Sequence, residues 1–161
     1  MPQRPIGVFD SGLGGISVLR EIHRLLPHED LLYVADSAHA PYGSKTPDVI
    51  RYRSQRVAEF LLEQHVKTLV VACNTATVHA VQHLRAVLPI PVVGIEPAVK
   101  PAARLTQTGV IGVLATQQTA QSLRLQQLIS VHAREVKVIV QACPGLVEHV
   151  EAGDFHSKAV L

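Results

Sequence analysis

At 161 residues the chain is long enough for one domain, or one and part of another. Hydrophobic residues make up 47% and charged residues 17%, a balance that excludes an intrinsically disordered protein. Fifteen Lys and Arg against thirteen Asp and Glu leave a formal charge of +2, too weak for an electrostatic grip on nucleic acid.

Short aliphatic runs alternate with helical patterns along the chain. Ile6–Phe9 reads as a first strand, followed by Ile16, Leu19, Ile22 and Leu26 at helical spacing until Pro27. Leu31–Ala35 is a second strand, and Thr46–Pro47 supplies an N-cap and first turn for a helix with Ile50, Val57, Phe60 and Leu61 on one face. Leu69–Ala72 leads into a helix from Thr75 to Leu88, with Val78, Val81, Leu84 and Val87 expected inward. Strands follow at Val92–Ile95, Val110–Leu114 and Val136–Val140, with helices near Pro97–Leu105, Gln117–Ile129 and from Pro144. The alternation predicts an α/β fold, a parallel sheet with helices on both faces. The last helical pattern stops at Leu161 with no closing turn, which suggests a truncated chain.

No apolar run approaches the roughly 18 residues of a membrane span. The N-terminal run is also too short for a signal peptide. Two cysteines, Cys73 and Cys143, are too few for a disulfide framework and fit a reducing compartment. The expectation is a cytoplasmic protein without membrane or nucleic-acid partners.

Ligands of open parallel sheets bind outside the carboxyl ends of the strands. The loops there read Asp10-Ser-Gly-Leu-Gly-Gly15, Asp36-Ser-Ala-His-Ala-Pro-Tyr-Gly43, Cys73-Asn-Thr75, Glu96-Pro-Ala98 and Ala115-Thr116. The first has the context of an anion loop but lacks G-x-G-x-x-G, and the charge of Asp10 would repel a pyrophosphate. Asp10 serves equally as a helix N-cap or as a carboxylate that orients an ammonium group or a neighbouring base. Cys73 stands where a helix N-terminus would lower a thiol pKa, although a small buried hydrophobe is the plainer role for cysteine. Pro41-Tyr42-Gly43 is an ordinary turn or a wall facing substrate. His39 is a weak candidate for ligand contact. The nine histidines form no metal pattern, and His79 and His83, four apart, read as helix-surface residues.

Taken together, Gly7-Val-Phe-Asp-Ser-Gly-Leu-Gly-Gly15, Asp36-x4-Pro-Tyr-Gly43, Val71-Ala-Cys-Asn-Thr-Ala76, Gly94-Ile-Glu-Pro-Ala98, Gly112-Val-Leu-Ala-Thr116 and Cys143-Pro144 followed by Glu151 resemble the glutamate racemases. These belong to the cofactor-independent aspartate/glutamate racemase superfamily. The resemblance runs from about Ile6 to the end of the chain. It implies two similar α/β domains, here residues 1–97 and an incomplete 98–161, facing each other across a cleft with one catalytic cysteine each. It also implies interconversion of L- and D-glutamate without a cofactor or metal, supplying D-glutamate for peptidoglycan.

By the same resemblance Cys73 is one catalytic thiol, with Asp10 beside it. Ser11, Pro41, Tyr42, Gly43, Asn74 and Thr75 bind glutamate, Glu151 assists near the second thiol, and Thr116 and Thr119 line the cleft. The second thiol lies in a Gly-Cys-Thr-His segment in these enzymes. No such segment occurs in this sequence, and Cys143 matches the earlier Cys-Pro stretch instead. The chain alone is therefore expected to be inactive. A homodimer is compatible with the sequence. The alternatives are another amino-acid racemase or decarboxylase of the superfamily, and a non-catalytic α/β module that binds a small ligand.

Overall fold

The computed structural model describes residues 4–158. The chain forms two compact units, residues 1–95 and 96–161. In the first, β1 (Ile6–Asp10), β2 (Leu31–Ala35), β3 (Thr68–Val71) and β4 (Val92–Gly94) form a parallel sheet in the order β2-β1-β3-β4. Helices α1 (Ile16–Leu25), α2 (Pro47–Glu63) and α3 (Asn74–Val87) connect the strands, and two short 3₁₀ turns, Ser37–His39 and Tyr42–Ser44, lie between β2 and α2.

Strand alternation divides the core into two layers. Phe9, Leu69 and Val71 face α2 and α3, where they pack with Ile50, Leu61 and Leu84. Ile6, Val8 and Val70 point the other way, against Val18, Leu19 and Ile22 of α1. The sheet is thus covered on both faces, which suits its β-branched strands.

The second unit contains α4 (Val99–Leu105), β5 (Val110–Ala115), α5 (Gln117–Ala120), α6 (Leu123–His132), β6 (Lys137–Ala142) and α7 (Leu146–Glu151). β5 and β6 pair in parallel. Val99, Ile111, Leu125 and Ala133 form the centre of its core, with Val113, Ile129 and Val138 packed against them.

The structure corrects several details of the sequence reading. The pattern over 117–129 is two helices, because Ser122 ends one and caps the next. Its Oγ donates to the Thr119 carbonyl at 2.7 Å and accepts from the Leu125 N–H at 3.1 Å. Helices begin two residues later than expected at Val99 and Leu146, and the last ends at Glu151. Ile16, Leu26, Phe60 and Val87 are exposed. In α3 Val81 and Leu84 face inward as expected, together with Ala76 and Ala80, small residues that large-residue periodicity overlooks, while Val78 is half-buried. His79 and His83 are half-buried rather than on the surface. A ring nitrogen of His83 hydrogen-bonds Gln55 Oε1 at 2.8 Å, while burial and nearby Arg51 push the His79 pKa down. Gly145, which caps α7 with φ of 85°, occupies the left-handed region that favours glycine.

No helix among the described residues is long and apolar enough to cross a membrane.

Candidate active site

Parallel pairing brings the loops after β1, β2 and β3 together at one end of the first unit. The Asp36 N–H donates to the Asp10 carbonyl at 3.0 Å, and the Ala72 N–H to the Phe9 carbonyl at 2.7 Å. Asp10, buried at the end of β1, accepts the Gly15 N–H on Oδ2 at 2.8 Å. It therefore fastens the first loop, although the N-cap position of α1 is Gly15 itself. A side chain at Gly15 would not fit. Its Cβ would stand 2.6 Å from Asp10 Cβ and 3.1 Å from Ala72 Cβ. Tyr33, on β2, donates from its hydroxyl to the Gly12 carbonyl at 2.8 Å and holds the loop from a second side.

Cys73 caps α3. Its sulfur accepts the Ala76 N–H at 3.4 Å and lies 3.4 Å from Ser11 Oγ. Thus Cys73 and Ser11, 62 positions apart, meet at the strand ends. Asn74 is exposed at the start of α3 and Thr75 is buried behind it. Tyr42 is 1% exposed and packs in the same buried cluster as Cys73 and Phe9, its ring centroid 6.2 Å from that of Phe9. Half-buried Pro41 and Gly43 flank it.

Asp36 organises the second loop. Its carboxylate accepts the Tyr42 hydroxyl at 2.7 Å, Arg53 Nη2 at 2.8 Å and Arg53 Nε at 3.0 Å, and His39 Nδ1 lies 3.0 Å away. Burial raises the Asp36 pKa, but the bonds from Arg53, Tyr42 and His39 outweigh it and hold the group below the ordinary carboxylate range. For the same reason Tyr42 is strongly raised by burial and by its bond to Asp36, and stays a neutral donor. His39 serves this network at Asp36.

Cys73 is 7% exposed, and its thiol pKa is raised, not lowered as its place on the helix suggests. Burial is the largest cause and the charge of Asp10 the next; the bonds from Ser11 and Ala76 offset them only in part. Helix-end donors stabilise a thiolate, but loss of solvation and a neighbouring carboxylate oppose it more strongly here. Asp10→Asn is expected to lower the midpoint of the pH–rate profile for alkylation of Cys73, because it removes a charge that penalises the thiolate. A midpoint unchanged or raised would contradict the electrostatic coupling.

Residues 6–160 match the family described as Asp/Glu/Hydantoin racemase. The chain belongs to this racemase family. It is 60% identical over 157 residues to a glutamate racemase of Pseudomonas entomophila, an alignment covering 97% of this chain and 59% of that one. The crystal structure of Escherichia coli glutamate racemase in complex with L-glutamate and the activator UDP-MurNAc-ala is similar with a TM-score of 0.88 at 38% identity. The match covers 97% of this chain and 59% of the other. That of Francisella tularensis, in complex with D-glutamate, gives 0.82 at 31% identity, covering 99% and 60%. The chain thus spans about 59% of the length of the first of these relatives.

The remaining expected residues of this family member lie in the second unit. Thr116 caps α5, its Oγ1 accepting the Thr119 N–H at 3.3 Å and donating to Thr119 Oγ1 at 3.2 Å; Thr119 is buried. Glu151 is the last residue of α7 and half-buried. Cys143, also half-buried, follows β6, its thiol 3.6 Å from the Gln141 carbonyl. Among the described residues no group of three or more His, Cys, Asp or Glu is arranged to hold a metal.

Sequence reasoning missed Arg53 and Tyr33. Neither lies in a motif, and each reaches its loop from a regular element. Helical spacing offers a partial signal for Arg53, since it lies three residues after Ile50 and four before Val57, on the inward side of α2.

Proposed function

We propose that the chain carries the first catalytic thiol and the amino-acid-binding loops of a cofactor-free glutamate racemase. The observation that carries this reading is the placement of Cys73 at the end of β3. There its sulfur contacts Ser11 Oγ, and Asp10, Tyr42 and the start of α3 surround it. The named relatives support glutamate as substrate.

Inverting an amino acid requires one proton to leave the α-carbon on one face and another to arrive on the opposite face. Cys73 serves one face: as a thiolate it accepts the α-proton, and as a neutral thiol it returns one when the reaction runs the other way. The α-carboxylate lies toward the start of α3, aided by Asn74, Thr75 and Ser11, which share the negative charge growing next to the α-carbon. The α-ammonium lies toward Asp10. Pairing with a cation withdraws part of the penalty that Asp10 places on the thiolate, so substrate itself makes Cys73 easier to ionise. The Pro41-Tyr42-Gly43 loop forms a wall of the pocket through half-buried Pro41 and Gly43, with the buried Tyr42 ring behind them. Glu151, Thr116 and Thr119 take roles in catalysis and binding on the strength of the resemblance alone. The enzyme works in the cytoplasm and supplies D-glutamate for peptidoglycan.

A substrate panel tests the assignment. Residues 1–161 are joined to the remaining C-terminal part of the Pseudomonas entomophila relative, and both enantiomers of glutamate, aspartate and alanine are offered. Turnover of glutamate in both directions, with aspartate and alanine left unchanged, is the expected result. Preferential turnover of aspartate would assign the loops to a different amino acid.

A further inference from the structure

Arg53 lies in α2, away from the loops that hold Cys73, and nothing in the racemase reading uses it. Its guanidinium grips Asp36 with two hydrogen bonds, from Nε to Oδ2 at 3.0 Å and from Nη2 to Oδ1 at 2.8 Å. The fork matches a carboxylate in a way a lysine ammonium does not. Oδ2 also accepts the Tyr42 hydroxyl at 2.7 Å, and the Tyr42 ring shares a buried cluster with Cys73. Asp36 is 7% exposed, so its charge requires the partner that Arg53 supplies.

We infer that Arg53 is a positioning residue, which acts through the Asp36 carboxylate to lock Tyr42 against the buried side of the Cys73 thiol. The inference deepens the racemase reading and rests on Cys73 being its reactive group. Without Arg53, Asp36 loses two charge-assisted bonds together with its compensating cation. The Tyr42 hydroxyl then loses a fixed acceptor, and the ring, in the same buried cluster as Cys73, is free to move. A cavity of about 310 Å³ borders the pair, lined by Val34, Asp36, Arg53, Arg56 and Phe60 among others. It gives a small planar cation a route from solvent to the place of the Arg53 head group.

The test is alkylation of Cys73 by iodoacetamide in the 161-residue chain, without glutamate, read by peptide mass spectrometry against Cys143 in the same molecules. Arg53→Ala is expected to raise the Cys73-to-Cys143 rate ratio about tenfold, the scale of a lost hydrogen bond to a charged group. Dilute guanidinium chloride restores the original ratio, whereas urea at equal concentration does not. Arg53→Lys, which keeps the charge and loses the fork, gives a smaller rise and is read in the same way if the alanine variant does not fold. An unchanged ratio, equal acceleration of both cysteines, or no specific rescue by guanidinium would overturn the inference. Because glutamate is absent, these outcomes are independent of the substrate panel that tests the racemase reading.

Discussion

Cys73→Ser is expected to lower glutamate racemisation by roughly 10²–10⁴-fold, the usual contribution of one positioned acid–base group. The measurement is made in the chimeric polypeptide that carries residues 1–161 ahead of the relative's C-terminal part. Serine is the informative replacement because its hydroxyl can still accept the Ala76 N–H and bond Ser11, as the sulfur does at 3.4 Å in each case. Packing is therefore kept, while the proton-transfer capacity of the thiol is lost. Exchange of the α-proton with deuterated solvent separates the two faces of the carbon. The variant should lose exchange preferentially from the enantiomer whose proton faces Cys73. Rates equal to those of the parent would refute a proton-transfer role for this residue.

Tyr42→Ala is expected to cost about 3–5 kcal/mol of stability, the range for truncating a fully buried aromatic residue. Tyr42 heads the fully buried side chains by volume, and its hydroxyl is one of the donors that satisfy the buried Asp36 carboxylate. The substitution thus opens a cavity beside Phe9 and removes a hydrogen bond from a charged group at once. Tyr42→Phe retains the ring and loses only the hydroxyl, with an expected cost of about 1.5–3 kcal/mol. Urea unfolding of the two variants separates the contributions. A loss below 1 kcal/mol for Tyr42→Ala, as an order of magnitude, would mean that the loop repacks without it.

Much of this arrangement is legible in the residues. Thr46–Pro47 marks the start of α2, where the Thr46 side chain accepts the Val49 N–H. The strands are mainly aliphatic runs, and the rule that ligands sit at their carboxyl ends selects the loops that contain Asp10, Tyr42 and Cys73. What stays hidden is set by tertiary contact. The thiol pKa direction depends on how deeply Cys73 is buried and how near Asp10 stands, and neither follows from the local pattern Val71-Ala-Cys-Asn-Thr-Ala76. The Asp36–Arg53 pair spans 17 positions and joins a loop to the interior of a helix, outside any local motif. Gly15 reads as one glycine of a loop in the context of an anion site, whereas its decisive property is the absence of a Cβ beside Asp10. The division of 117–129 turns on one serine that competes with the helix for backbone partners.

Binding of an amino acid against the Cys73 sulfur is measured most directly by the alkylation rate of Cys73 with and without saturating L- or D-glutamate, with Cys143 as the internal reference. Glutamate is expected to slow alkylation of Cys73 and to leave that of Cys143 unchanged. Equal rates at Cys73 with and without either enantiomer would contradict it.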